Sequence, residues 1–213
     1  MKAQGVFNDP ETNTYISQKS ITPPDHGYTY TGSPYANKAF QQGFVFRDGQ
    51  ILASNIGLRY NAARDEFEIK KSLNTSNYAA KVMVKSEEIY VKIMNRLFVY
   101  VDKNEEDETG GYYEVLYEGE KMSLYKKVSK EFIEGKKAIN SIAADILPQY
   151  KEKETLFLLT ENKELVSLPS SRNGKINSFS GNKKEIKQHI KDKKLNINKN
   201  YDLIKLMRFY DSL

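Results

Sequence analysis

Phe44-Val45-Phe46-Arg47-Asp48-Gly49-Gln50-Ile51-Leu52-Ala53-Ser54-Asn55-Ile56-Gly57-Leu58-Arg59-Tyr60 reads as two strands about a tight turn. Aromatic and β-branched residues suit a pleated, half-buried surface, and Asp-Gly supplies the two positive φ angles that a two-residue hairpin turn requires. Simple alternation in the second arm puts Leu52, Ser54, Ile56, Leu58 and Tyr60 on one face and Ala53, Asn55 and Gly57 on the other.

The same grammar continues on either side. Residues 40–46 and 51–60 are followed by 66–71, 80–84, 89–94, 97–101, 112–118 and 121–128, with turns at Asn95-Arg96 and Gly119, which predicts an antiparallel β-meander. Most of these segments are only half apolar, so one face should be solvated or covered by another element. In residues 66–71, Phe67 and Ile69 alternate with Glu66 and Glu68, which places the two carboxylates on the wet side of the sheet. Residues 129–154 mix turn signals with a short helical pattern near 142–147, and 156–159 and 164–168 form one more hairpin.

Before the sheet, residues 1–39 are rich in Pro and Gly yet carry Tyr15, Tyr28, Tyr30 and Tyr35, too aromatic for a free linker. This predicts an arm packed on the sheet, contributing a short strand. After the sheet, Ile186 and Ile190 recur at helical spacing within 183–194, and Leu203, Leu206, Met207, Tyr210 and Leu213 form an apolar stripe within 199–213. The expected organisation is an arm over 1–39, an antiparallel β domain over 40–168 and a C-terminal helical appendage over 169–213. The fold class is mainly β (α+β): a curved antiparallel sheet with a C-terminal pair of short helices.

Composition narrows the chemistry. The 213 residues contain no Cys, which removes disulfides, thiolate metal sites and Cys nucleophiles together. No stretch approaches the roughly 20 apolar residues that a spanning helix needs. No Gly-rich phosphate cradle, kinase signature or nucleophile elbow occurs, and no cofactor is expected. The two histidines, His26 and His189, have no partner at ligand spacing. Residues 102–108, Asp-Lys-Asn-Glu-Glu-Asp-Glu, begin like a calcium loop but lack the turn glycine and closing carboxylate, so a solvated acidic loop is expected. Asp65, Glu66 and Glu68 raise a paired-carboxylate hydrolase reading, which needs two carboxyls facing each other across a cleft.

Two surfaces stand out as contact candidates. With 15 Tyr, 10 Phe and no Trp, the chain offers amphipathic rings suited to protein contact, and Tyr113, Tyr117 and Tyr125 on adjacent hairpin strands, with Tyr112 on the opposite face, are the candidate partner-binding residues. From residue 151 onward there are 14 Lys or Arg against 8 Asp or Glu, concentrated near Lys183, Lys184, Lys187 and Lys191, the candidate anion-binding residues. Glu185 and Asp192 are interspersed there and no aromatic lies among the lysines, which favours a solvated helix face and disfavours nucleic acid.

The hairpin at 44–49, the phrase Leu58-Arg59-Tyr60-Asn61, the segment Gly111-Tyr112-Tyr113-Glu114-Val115-Leu116-Tyr117-Glu118-Gly119, the strand Leu124-Tyr125-Lys126-Lys127 and the ending Asp202-Leu203-Ile204-Lys205-Leu206 with Tyr210-Asp211-Ser212-Leu213 together resemble a group of uncharacterised exported proteins of Bacteroidota. The resemblance spans residues 40–213. It implies a periplasmic or outer-membrane-associated protein; Ala3-Gln4 on its own suits the remnant of a processed export signal and an ordinary cytosolic start equally. The expectation is a non-enzymatic binding or scaffold protein that engages a cell-envelope protein. The alternatives are a small carboxylate-dependent hydrolase of glycans or lipids, and a binder of anionic surfaces, peripheral membranes included, through the lysine-rich helix.

Overall fold

The computed structural model describes residues 14–21, 27–102, 109–138 and 144–213. Its strands are β1 (Ile16–Ser20), β2 (Gln41–Arg47), β3 (Gln50–Asn61), β4 (Glu66–Lys70), β5 (Lys81–Met83) and β6 (Ile89–Ile93). They continue with β7 (Arg96–Val101), β8 (Gly111–Tyr117), β9 (Met122–Ile133), β10 (Gln149–Thr160) and β11 (Leu165–Ser167). Helices α1 (Arg172–Asn177), α2 (Lys183–Asp192) and α3 (Asn200–Asp211) close the chain. The architecture is thus mainly antiparallel β with C-terminal helices, as the residue pattern predicts, although the helices number three.

The strands join one sheet of eleven in the order β1-β5-β4-β3-β2-β6-β7-β8-β9-β10-β11. Hairpin succession sets most of this order, with two departures: β1 lies beside β5, and after β5 the chain returns and pairs β6 with β2. Within the arm, Ile16–Ser20 supply β1, which pairs β5. At the β2–β3 turn Arg47 faces Gln50, and Asp48 and Gly49 take φ of 50° and 75°, the geometry that the Asp-Gly pair predicts.

Strand β3 breaks the expected alternation. Gly43 faces Ile56 while Val45 faces Ala53, so two steps on β2 oppose three on β3, and Asn55 takes a left-handed φ of 55°. That is a β-bulge, and asparagine is among the few residues that enter this region at low cost. The extra residue reverses the facing, so Ala53 and Ile56 both enter the same core although alternation separates them.

The chain divides into two compact units: the described residues within Met1–Tyr112 and Val128–Lys153 make one, those within Tyr113–Lys127 and Glu154–Leu213 the other. The divisions therefore fall inside β8, β9 and β10 rather than at 39/40 and 168/169. The core of the first unit is built on Val45, Ile56, Leu58, Phe67, Ile69, Ile89, Val91, Phe98 and Tyr112. In the second, Leu124 and Leu158 from the strands meet Phe179, Ile186, Ile190, Leu203, Leu206 and Met207. The helical segment is thus part of a core that includes strands.

The described residues within 129–154 are more extended than their composition suggests; of the helical pattern expected near 142–147, residues 142 and 143 lie outside the described residues and 144–147 form no helix. β9 runs on to Ile133 and β10 starts at Gln149, with Lys136 bridged to Ile146 between them. Ion pairs take the place of apolar alternation here: Lys130 reaches Glu152 at 2.6 Å. Beyond Glu154, β10 pairs β11 through Phe157, Leu158 and Leu159, and the preceding Lys151-Glu152-Lys153-Glu154 is exposed. A charged edge of this kind discourages strand addition by other chains.

Helix α1 escapes sequence reading because six residues containing Gly174 show no helical period; Ser171 starts it, its side chain accepting from Gly174 N–H at 3.1 Å. In α3, Leu203, Leu206 and Met207 have no exposed surface. Introducing a carboxylate there both leaves a cavity and buries a charge. Leu206→Asp is expected to lower unfolding free energy by about 3 kcal/mol or more, read by denaturant unfolding. Wild-type stability of that variant would mean that α3 is not part of the core.

Candidate functional site

From Ile56 onward β3 buries both faces, as does β4 beside it. On the face away from the apolar core, Arg59, Asn61, Glu68 and Lys70 are all buried. This corrects the expectation that Glu68 lies on a wet face, and the reason is the arm. Ala36 N–H donates to the Tyr60 carbonyl and Ala63 N–H to that of Pro34, both at 3.1 Å, so residues 34–36 lie along β3.

A buried charge needs a partner, and each here has one. Arg59 and Glu68 face each other across β3 and β4; Nε and Nη2 of Arg59 donate to Glu68 Oε2 at 2.9 and 2.6 Å, and Nη1 donates to the Lys38 carbonyl at 3.1 Å. The guanidinium lies between the rings of Tyr35 and Phe40, 3.7 and 4.2 Å from their centroids. Burial, and next the Glu68 carboxylate, push the Tyr35 phenol up from its ordinary value. Lys70 donates to the carbonyls of Leu73 and Thr75 at 2.9 and 2.8 Å and to Asn77 Oδ1 at 2.8 Å, which clasps the loop between β4 and β5. Burial, and then Arg59, hold its ammonium below the ordinary lysine range.

These two arrangements fix the walls of a cleft of about 470 Å³, lined by Tyr30, Pro34, Tyr35 and Lys38 from the arm, Arg59 from β3, and Asn77 and Tyr78 from the clasped loop. Tyr78 is 89% exposed at its rim. Its size lies within the usual range for ligand sites, and its walls are aromatic with a few polar groups. Only the tyrosine density of the arm foreshadows this site; nothing local marks Lys70 or Tyr78.

The four candidate tyrosines sit elsewhere. Tyr112 is 2% exposed in the first core, edge-on to Phe67 at 4.8 Å, with its N–H donating to Asp65. Tyr113 and Tyr125 are buried in the second unit, 6.1 Å apart between ring centroids, and Tyr113 lies edge-on to Phe157. These three rings are core and cannot form the contact face expected of them, because the sheet is covered on both sides at β8. Tyr117 is half-buried, its hydroxyl donating to Asp211 at 2.5 Å. A Cβ at Gly119 would fall 2.6 Å from the Met122 backbone carbonyl and against that same carboxylate, so glycine is what the tight β8–β9 turn takes beside the end of α3.

The carboxylates of the hydrolase reading do not converge on the cleft as a pair. Glu68 is held by Arg59, Glu66 by Lys19, and Asp65 accepts from the Tyr60 hydroxyl at 2.6 Å. Lys183, Lys184, Lys187 and Lys191 are all exposed on α2. His189 stacks on Phe209 at 3.8 Å, while His26 and residues 103–108 of the acidic loop lie outside the described residues. Among the described residues no group of three or more His, Asp or Glu could hold a metal ion, and no helix is long and apolar enough to cross a membrane.

Two outcomes follow from these contacts. Glu68→Gln keeps the shape but leaves the Arg59 charge without a counter-ion, so it should cost about 3 kcal/mol in denaturant unfolding, with much of the loss recovered in Arg59→Met/Glu68→Leu. An unchanged midpoint in the single variant would refute the buried pair. Burial, then the hydrogen bond and charge of Asp211, raise the Tyr117 phenol to about 12. Because the folded phenol holds its proton more tightly than the unfolded one, its contribution is complete below about pH 10 and is lost as pH rises toward 12. Phenolate absorbance should therefore show a late-ionising tyrosine that moves to lower pH in Asp211→Asn.

Comparison with protein-family models, with curated proteins and with solved structures finds no match for this chain.

Proposed function

We propose that this chain is a non-enzymatic binding or scaffold protein of the cell envelope, and that it takes a segment of a protein partner into the cleft between the arm and the β4–β5 loop. The observation that carries this reading is Tyr78, a large ring left 89% exposed beside Tyr30 and Tyr35 on a wall clasped by Lys70. Rings held at low entropy cost with one polar end suit anchors of protein contact. Lys70 gives its three donors to the clasped loop and Arg59 gives three of its five to Glu68 and Lys38, so they pre-organise the cleft, and Lys38 at the exposed rim favours an acidic or carboxylate-bearing segment. The separation of Asp65, Glu66 and Glu68 among different partners supports binding over carboxylate hydrolysis. The envelope setting rests on the resemblance to exported proteins.

A photo-crosslinking residue at position 78 of the full chain, expressed in its native cells, is expected to trap a protein partner that the same residue at Tyr201 does not. Against that purified partner, Tyr78→Ala and Tyr30→Ala should each weaken binding by about 2 kcal/mol with folding unchanged. Wild-type affinity in both variants, crosslinks only at position 201, or hydrolytic turnover on ester or glycoside substrates would overturn the proposal.

A further inference from the structure

Helix α2 carries charge in a geometry that linear sequence conceals. Lys183, Lys187 and Lys191 follow one another at i,i+4, and at about 100° per residue Lys184 falls on the same side, so the four occupy about 100° of arc. Glu185 and Asp192, interspersed in sequence, fall on the far side of that arc, and the Asp192 carboxylate accepts from Gln188 at 2.8 Å. Among the described residues none of the four lysines forms an ion pair, and all are exposed. On the inner side Ile186 and Ile190 are 0% and 1% exposed, which lays the helix along its own unit and prevents it from rolling.

We infer that this face of α2 is a peripheral contact for an anionic lipid bilayer, a surface separate from the cleft. The row from Lys183 to Lys191 spans roughly 12 Å at 1.5 Å per residue, a short line of fixed cations that can meet a plane of headgroup phosphates together. Single strands call for rings among the cations, and the exposed arc holds Lys183, Lys184, Lys187, Gln188 and Lys191. No apolar side chain lies on this arc, so the contact is electrostatic, sits at headgroup level and weakens with salt.

The test is co-sedimentation of the full chain with vesicles of phosphatidylglycerol and phosphatidylcholine, and with vesicles of phosphatidylcholine alone, at low and physiological salt. Binding is expected only to the anionic vesicles and only strongly at low salt. The variant Lys183→Gln/Lys187→Gln/Lys191→Gln should lose roughly 100-fold in partition coefficient, about five-fold per lysine, while melting like wild type. Lys151→Gln/Lys153→Gln/Lys163→Gln, an equal charge change at exposed positions of β10 and the β10–β11 turn, should retain binding. Equal loss in both variants, equal binding to neutral vesicles, or α2-dependent binding to duplex or single-stranded DNA tighter than to vesicles would overturn the inference.

Discussion

The pair Arg59–Glu68 is the constraint around which the first unit is arranged. Two opposite charges on neighbouring strands are removed from water, and this is tolerable only if the remaining lone pairs and protons are also satisfied and the site is kept dry. The arm supplies those conditions through the Lys38 carbonyl and the Tyr35 ring, joined by the Phe40 ring that follows it. A segment that composition alone would class as turn-rich is therefore tied down by ionic chemistry, and the cleft exists because the arm cannot leave without exposing a charge.

The second unit solves the same problem of a doubly covered strand by apolar means. Its helices bring Phe179, Ile186, Ile190, Leu203, Leu206 and Met207 against Leu124 and Leu158. Polar groups in this core are few and closed: Lys175 donates to the Ile197 carbonyl and to Asn198 Oδ1 at 3.1 and 3.0 Å, and Asp202 accepts from Asn196 N–H at 3.0 Å. Those contacts brace the corner between α2 and α3, which keeps the lysine-bearing face of α2 fixed in direction.

What the sequence reveals is what depends on near neighbours. Asp48-Gly49 declares its turn and the spacing of Ile186 and Ile190 declares a helix, because both signals span a few residues. The bulge at Asn55 is hidden, since a single left-handed residue reverses facing without changing composition, and it misdirects the assignment of Ala53. Burial of Glu68 and Lys70 is hidden for a different reason: their coverings come from residues 35–40 and 73–77, a relation no periodicity encodes. The tyrosines of β8 and β9 mislead by the same route, because a ring suited to a half-wet sheet is equally suited to a core once another layer covers it. Of the cleft, only the aromatic richness of the arm is legible; its outer wall depends on where a lysine side chain ends.

The passage of β8, β9 and β10 through both compact units has a genetic corollary. Neither unit corresponds to a continuous stretch of coding sequence, since residues 113–127 and 128–153 interrupt each other's partners along the chain. Recombination that shuffles contiguous gene segments cannot transfer one unit without severing the other. The divisions after residues 112, 127 and 153 each fall within a strand rather than a linker, so a cut made at any of them to separate the units breaks β8, β9 or β10.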